Sequence, residues 1–488
     1  MTDRCTRHPF RHTTLGFILF GFIVLVWAYG LVMPPFEGLD EIEHFSAIRY
    51  IADTGSLPVH DPVLQARYRY RQEASQPPLY YILMGGVTRL LGLETDDTNS
   101  YLVSNQFVAC GPSDNPYNKH TLYHNPVREA FPWQGALFSL HVLRALTPLL
   151  QLFTIIGVYA IARLVFPSHP NVAPLAAALT AFNPQFLLVA SGVNNDNLVT
   201  PLATMGLYLT LVTHQKGLSF RRSVGLGLLI GLAGLSKQSG LFLSGVAGVA
   251  LLDMALSAHA AGQWRRVIGH GLLMGSVVVL TCGWWFWRNW QLYGDPTALQ
   301  PMLELVGRRG SPILPLNESG LMFRSFWGQI ACTFFSDRFY TLVGLLTAAG
   351  VIGLLVGLVK SRTNGQKPRG AWVRLLLLPL WFALIFVGWV RWDLLTPAPG
   401  GRLLFPAIAS TSALLAYGLL RLGRPAWRRT IAYGGVILLA GLALTTLLWE
   451  LRPLFATPKT YADTETLTIS HPLEATFGQD IVLRGYHA

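Results

Sequence analysis

Charged residues are scarce in this sequence. Of its 488 residues, 13% are charged and 51% are hydrophobic, and the mean hydropathy is +0.40. A water-soluble core cannot absorb so much apolar sequence, so the composition excludes an ordinary soluble domain. It predicts an all-α polytopic membrane protein.

Cysteine is also rare. The four cysteines, Cys5, Cys110, Cys282 and Cys332, lack the spacing of metal ligands, which excludes a cysteine-based metal centre. On an oxidising side of the membrane only Cys110 and Cys332 could meet, and that disulfide is left open.

Acidic residues are outnumbered by basic ones, 25 to 37, which gives a net charge of +12. The basic residues stand in short clusters between apolar runs and form no aromatic–basic platform. This pattern excludes a nucleic-acid partner and indicates membrane topology.

The first apolar run, residues 15–33, lacks an Ala-x-Ala cleavage site and is long for a secretory signal, so we expect a retained first span. Further runs of membrane length bring the prediction to about 11 transmembrane helices. They cover residues 137–166, 172–193, 198–213, 223–236, 239–257, 267–287, 339–359, 372–390, 403–420 and 431–449.

The distribution of charge predicts the orientation. With the N-terminus inside, the inner segments hold eighteen Lys and Arg residues against two acids, Asp3 and Asp253. This asymmetry follows the positive-inside rule. It predicts a cytoplasmic tail (residues 1–14) and a membrane module (15–450), with the active site and the C-terminus on the outer face of the plasma or inner membrane.

Residues 34–133 then form a first outer loop of about a hundred residues, which needs ordered structure of its own. Its segment 77–93 is barely long enough to cross a membrane and contains the charged residue Arg89. We therefore interpret it as an amphipathic helix on the membrane surface. In the outer tail, residues 451–488, apolar and polar residues alternate as in two short strands. This pattern predicts a short β-hairpin with a turn at Gly478-Gln479-Asp480.

The segment that follows the first span, residues 34–50, places Asp40, Glu41, Glu43 and His44 near the membrane surface. Two interpretations compete. Asp40 and Glu43 have the spacing of a helix capping box. Alternatively, a carboxylate at this position is catalytic.

Several short motifs share the predicted outer face. They are Asp40-Glu41, Gln76-Pro77-Pro78-Leu79-Tyr80-Tyr81, Asn183-Pro184-Gln185-Phe186 with Asn194-Asn195-Asp196-Asn197, Gly231 to Lys237 with Ser239-Gly240-Leu241, and Gly401-Arg402-Leu403-Leu404-Phe405-Pro406. In this order the motifs resemble the polyprenyl-phosphate-dependent glycosyltransferases of the GT-C superfold, which include protein O-mannosyltransferases and aminoarabinose transferases.

That resemblance implies a sugar donor linked to a polyprenyl phosphate and an acceptor that is a lipid, a glycan or a protein. The sugar would be transferred on the non-cytoplasmic side, and the protein would be surrounded by membrane lipids. It makes Asp40 the general base of an Asp40-Glu41 catalytic pair. Lys237 and Arg402 lie at the outer ends of apolar runs, where burial of an unpaired cation costs free energy. They are predicted to hold the lipid phosphate. Snorkelling to the headgroups is their alternative role.

The remaining candidates are predicted to contact substrate. They are His44, Gln76, Tyr80, Asn194, Asn195 and Asp196. The asparagines also suit ordinary turn chemistry. A divalent cation is possible and would use Asp40, Glu41 and His44, although a helix surface without metal is the simpler interpretation.

His141 and Arg144 are predicted to form a buried polar pair that stabilises the bundle. A transporter or lipid flippase is the competing function, because many spans with intramembrane charges would look similar. Its ionisable residues should lie near the middle of the membrane, whereas here they gather at the outer ends.

Overall fold

The computed structural model describes residues 10–105, 111–112, 120–259, 262–310, 315–330, 333–363 and 369–455. The predicted hairpin in the tail and the candidate pair Cys110 and Cys332 lie outside these residues.

The described residues are mostly helical. The first four helices are α1 (Phe10–Val32), α2 (Glu41–Thr54), α3 (Pro62–Tyr68) and α4 (Leu79–Leu90). The next seven are α5 (Gly135–Val165), α6 (Val172–Ala181), α7 (Pro184–Ser191), α8 (Asp196–Lys216), α9 (Phe220–Ser236), α10 (Leu243–His259) and α11 (Trp264–Tyr293). The last seven are α12 (Leu299–Val306), α13 (Ser319–Trp327), α14 (Asp337–Thr363), α15 (Arg369–Leu395), α16 (Ile408–Leu422), α17 (Arg428–Thr446) and α18 (Arg452–Leu454).

Short irregular elements join these helices. The 3₁₀ helices are Arg71–Ser75, Thr98–Tyr101, Gln238–Phe242, Pro315–Glu318, Gly401–Ala407 and Pro425–Trp427, and a π-helix covers Leu447–Leu451. Three two-residue strands, β1 (Gly111–Pro112), β2 (Gln329–Ile330) and β3 (Thr333–Phe334), form a small sheet in the order β1-β3-β2. β1 runs parallel to β3, with Gly111 opposite Thr333, and β2 runs antiparallel to it.

Eight helices in the described part of the chain are long and apolar enough to span a membrane, or up to nine if the bent pair α6 and α7 is one span. The predicted count of about 11 is not confirmed. Over two of the predicted spans, residues 198–213 and 223–236, the structure has α8 and α9, which are not among the eight. α9 has only 17 residues, and threonines interrupt the apolar sequence of α8.

The predicted span 172–193 is broken. α6 and α7 meet at a bend of 55°. Asn183 and Pro184 account for the break, because the Asn183 side chain accepts a hydrogen bond from the Phe186 amide (3.0 Å) and so caps a new helix that Pro184 begins.

The predicted surface segment 77–93 contains α4, a helix of 12 residues. At about 1.5 Å per residue, α4 is too short to cross a membrane. It packs with α2 and α5 in a second hydrophobic core that is distinct from the main core of the bundle. The segment between α1 and α5 is therefore folded onto one end of the bundle.

Candidate active site

The site begins where α1 ends. Pro34 and Pro35 cannot continue a helix, so the chain turns after Val32 and α2 begins at Glu41. Asp40 stands at the N-cap position, but its side chain makes no capping hydrogen bond. Glu43 lies instead near Arg71, at 3.8 Å. The capping-box interpretation is therefore wrong.

The backbone of Asp40 is left-handed, with φ 54° and ψ 22°. A non-glycine residue rarely adopts this conformation, although aspartate tolerates it better than most, and such residues cluster at functional sites. The conformation aims the carboxylate away from the amides of α2. The Arg402 guanidinium donates to Asp40 Oδ2, and 45% of the Asp40 side chain stays exposed.

Arg402 belongs to the 3₁₀ helix that precedes α16. The preceding residue fixes its position, because the Gly401 amide donates to Ser325 Oγ (2.6 Å) on α13. A Cβ at position 401 would lie 2.1 Å from the Met322 carbonyl oxygen, so only glycine fits this contact. Arg402 keeps 17% of its side chain exposed.

A second ion pair joins two helix ends. Asp196 is the first residue of α8, and Lys237 directly follows α9. Lys237 Nζ donates to Asp196 Oδ1 at 2.5 Å. The Asp196 side chain is buried at 2% exposure, whereas Lys237 keeps 19%.

The two ion pairs lie close enough to influence each other. Removal from water by itself would raise the pKa of Asp40, but neighbouring cations outweigh this effect and lower its pKa to about 2. Those cations are Arg402, His44 and Lys237. Asp40 is therefore ionised at neutral pH.

His44 lies one turn into α2, where its Nδ1 is 2.9 Å from the Tyr81 hydroxyl and 3.3 Å from Glu73 Oε2. The Tyr81 hydroxyl also donates to Glu73. Burial lowers the pKa of His44, but the Glu73 and Asp40 carboxylates together outweigh this effect, and the net shift of the pKa is upward. The sequence did not indicate Glu73, because no spacing links it to His44 before α2 and the 3₁₀ helix Arg71–Ser75 fold together.

Glu41 lies in a closed environment. Its carboxylate accepts hydrogen bonds from Arg144 Nε (2.9 Å), Arg144 Nη2 (2.5 Å) and the Val193 amide (3.0 Å), and only 1% of its side chain is exposed. Arg144 also donates to the carbonyls of Gly30, Met33 and Pro34 at the end of α1. This ion pair fixes the turn that carries Asp40.

Arg144 is buried, as predicted, but its partner is Glu41 rather than His141. The His141 ring stacks on Trp133, with centroids 3.7 Å apart.

The other predicted contact residues have different surroundings. Tyr80 is fully buried, and its hydroxyl lies 3.1 Å from Thr147 Oγ1, so it does not line the exposed site. Gln76 is half-buried at the end of the 3₁₀ helix Arg71–Ser75. Asn194 Nδ2 donates to the Val189 carbonyl (2.8 Å), which is turn chemistry. Asn194 Oδ1 and Asn195 Nδ2 are buried without a hydrogen-bond partner in the described structure.

The predicted metal ligands do not converge. Asp40 pairs with Arg402, Glu41 with Arg144, and His44 with Tyr81 and Glu73. A different group in the described residues, Glu37 with His120 and His124, brings three ligand atoms within 4.8 Å of one another.

The arrangement around Asp40 combines an ionised, accessible acid with two partly exposed cations. Such an acid can accept a proton from a bound hydroxyl, and the two cations can hold an anion beside it. Asp40, Asp196, Lys237 and Arg402 all lie at or near helix ends.

A family model described as dolichyl-phosphate-mannose-protein mannosyltransferase matches residues 136–287, which include Asp196 and Lys237. No curated protein matches the chain in sequence.

Two solved structures of ArnT from Cupriavidus metallidurans are similar to most of the chain. The form bound to undecaprenyl phosphate has a TM-score of 0.52 and 15% identity, over 90% of this chain and 76% of ArnT. The apo form has a TM-score of 0.51 and 17% identity, over 91% and 77%. The archaeal oligosaccharyltransferase AglB from Archaeoglobus fulgidus, in complex with an inhibitory peptide and a dolichol-phosphate, has a TM-score of 0.47 and 13% identity, over 92% of this chain and 55% of AglB. The chain has the GT-C glycosyltransferase fold.

Proposed function

We propose that this protein is a membrane glycosyltransferase that moves a sugar from a polyprenyl-phosphate donor to an acceptor hydroxyl on the non-cytoplasmic face. The observation that carries the proposal is the placement of accessible, ionised Asp40 beside Arg402, with Lys237 near enough to lower its pKa. The undecaprenyl phosphate in the ArnT structure of the same fold supports a lipid-phosphate donor. The acceptor is a lipid, a glycan or a protein.

In this mechanism Lys237 and Arg402 bind the donor phosphate. The acceptor oxygen attacks the anomeric carbon of the sugar while Asp40 removes its proton. The bond between that carbon and the phosphate oxygen breaks, and the polyprenyl phosphate leaves with the bonding electrons. Because a phosphate is already a good leaving group, the two cations are sufficient to stabilise its developing charge, and no second carboxylic acid is needed.

The ion pair between Asp40 and Arg402 couples donor binding to catalysis. A carboxylate with a pKa near 2 is a weak base. A donor phosphate competes with Asp40 for Arg402, and a weaker ion pair raises the pKa of Asp40 towards its ordinary value. Asp40 therefore becomes a better base once the donor has bound.

The other charged residues support this arrangement. Asp196 holds Lys237 at the site, with 2.5 Å between Nζ and Oδ1. Glu41 and Arg144 have a positioning role, because they fix the turn before α2. His44 lies in the field of Asp40, but its side chain is buried and bonded to Tyr81 and Glu73, so it acts on the site through its charge rather than by contact with the acceptor.

The location of the charges distinguishes this proposal from a transporter. Lys237 follows the last residue of α9, and Arg402 precedes α16. Ionisable residues that move a substrate across a membrane are expected near its middle. Charges at helix ends instead suit chemistry at the membrane surface.

The experiment that tests the proposal is transfer of labelled sugar from a panel of polyprenyl-phosphate donors by the purified protein in detergent. Asp40→Asn should lower turnover by about 10²–10⁴-fold, the usual contribution of general base catalysis. The matched control is Asp61→Asn, which removes another carboxylate from the same segment, one that caps α3. Its turnover should stay near wild type.

Two results would contradict the proposal. Turnover of Asp40→Asn at the wild-type rate would remove Asp40 from the mechanism. Movement of labelled lipid across vesicles without formation of a new glycosidic bond would support the transporter instead.

A further inference from the structure

A cluster of histidines and carboxylates lies apart from the Asp40 site. Glu37 stands in the turn after α1, three residues before Asp40, and His120 and His124 come from the segment that precedes α5. All three side chains are buried, with exposures of 1%, 3% and 5%. The mechanism proposed for Asp40 uses none of them.

The ligand atoms of this cluster lie within 4.8 Å of one another. His124 Nε2 is 3.0 Å from Glu37 Oε1, and His120 Nδ1 is 3.7 Å from the same oxygen. A tetrahedral metal ion with bonds of about 2.0–2.1 Å separates its ligand atoms by about 3.3–3.4 Å. The two distances to Glu37 Oε1 lie on either side of this value, and all three ligand atoms lie within 4.8 Å of one another, so an ion would be bound after the side chains draw closer together.

Neighbouring groups orient two of the three ligands. Glu129 Oε2 lies 2.9 Å from His124 Nδ1, which directs the opposite nitrogen, Nε2, towards Glu37. Metal-binding histidines usually have such a carboxylate on their second nitrogen. Glu37 Oε1 accepts hydrogen bonds from the Thr121 and Leu122 amides (2.8 and 3.0 Å), which fix its carboxylate.

We propose that Glu37, His120 and His124 bind a divalent transition-metal ion of the zinc class, with water as the fourth ligand. Two imidazoles and one carboxylate suit zinc, whereas calcium and magnesium prefer oxygen ligands alone. The ion would join the segment 120–129 to the turn that carries Asp40. It differs in place and in ligands from the cation site predicted for Asp40, Glu41 and His44.

Zinc content tests this proposal without any activity assay. The full-length protein, purified without a histidine tag and stripped with chelator, should bind about one Zn²⁺ per chain and regain thermal stability when Zn²⁺ is added. His120→Ala and His124→Ala should lose this zinc. Glu129→Gln should weaken zinc binding about 10–100-fold, the usual effect of removing the carboxylate behind a ligand histidine.

The matched control is His60→Ala, which removes a half-buried imidazole that is bonded to Ser75 at 2.6 Å in the same segment between α1 and α5. This variant should keep its zinc. If the ligand variants do not fold, Co²⁺ added to the wild-type protein decides the question, because a tetrahedral site gives it intense visible absorption.

The alternative is a protonated His124 that bridges Glu37 and Glu129 without metal. In that case the stripped wild-type protein would bind no zinc, its melting temperature would not respond to Zn²⁺ or chelator, and Co²⁺ would show no tetrahedral spectrum. Any of these results for the wild-type protein overturns the proposal.

Discussion

Asp40 and Glu41 are adjacent in the chain, but their side chains have opposite surroundings. Asp40 is 45% exposed and faces Arg402, whereas Glu41 is 1% exposed and paired with Arg144. Accessibility therefore distinguishes a residue that can touch substrate from one that holds the turn in place.

This difference predicts that Glu41→Gln acts on stability. The substitution leaves the buried Arg144 without its counter-charge, which typically costs about 3–5 kcal/mol. The melting temperature of Glu41→Gln in detergent should therefore fall well below that of the wild type. The comparison is Asp40→Asn, which changes an exposed side chain and should melt near the wild type. A normal melting temperature for Glu41→Gln together with lost transfer would instead assign it to catalysis.

Sequence reasoning reached part of this site. The order of the spans and the positions of the charges were enough to place Asp40, Asp196, Lys237 and Arg402 at one end of the bundle. The resemblance made Asp40 the base of the pair, but the sequence did not show that Glu41 is buried, because its burial depends on the turn after α1 and on Arg144, 103 residues away. Glu73 and the cluster at Glu37 were missed for the same reason, since their partners meet only after folding.

At the scale of elements, α14 and α16 pack with their backbones in contact. A Cβ at Gly418 would lie 1.8 Å from the Gly350 carbonyl oxygen, and one at Gly353 would lie 2.0 Å from the Gly418 carbonyl oxygen. Small residues allow membrane helices to approach this closely. The contact is relevant to the site because Arg402 lies just before α16.

Gly418→Ala should therefore force the two helices apart. Overpacking of this kind typically costs about 1–3 kcal/mol, which thermal unfolding in detergent would detect. Gly344→Ala on α14 is the matched control, because no atom lies within 4 Å of the position that its Cβ would occupy. Equal melting temperatures for the two variants would contradict the packing described here.

Element boundaries were partly predictable. The run 15–33 closely matches the end of α1 at Val32, because two prolines end the helix. The run 172–193 was predicted as one span. Hydropathy does not reveal that Asn183 caps a new helix, which divides the run into α6 and α7. α8 and α9 were predicted from apolar runs as short as 14 residues, too few to cross a membrane alone.

At the scale of the whole molecule, charged groups lie at two opposite ends of the bundle. α8 connects them, with Asp196 beside Lys237 at its first residue and His214 beside Asp253 near its last turn (2.9 Å). Although α8 is not among the eight helices that are long and apolar enough to span a membrane, its 21 residues give it a length of about 32 Å. The two ion pairs are therefore separated by roughly the length of α8.

The central claim is that Lys237 and Arg402 form one anion site that Asp40 shares. The measurement that tests it most directly is the affinity of the purified protein for a polyprenyl phosphate, such as undecaprenyl phosphate. Lys237→Met and Arg402→Gln should each bind about tenfold more weakly or worse, because a hydrogen bond to a charged group contributes about 1.5–3 kcal/mol.

Asp40→Asn should bind the lipid phosphate at least as tightly as the wild type, because Arg402 loses its competing partner. Lys216→Met, which removes an exposed lysine at the opposite end of α8, should not change the affinity. Wild-type affinity in both Lys237→Met and Arg402→Gln, or a loss as large in Lys216→Met, would contradict the account.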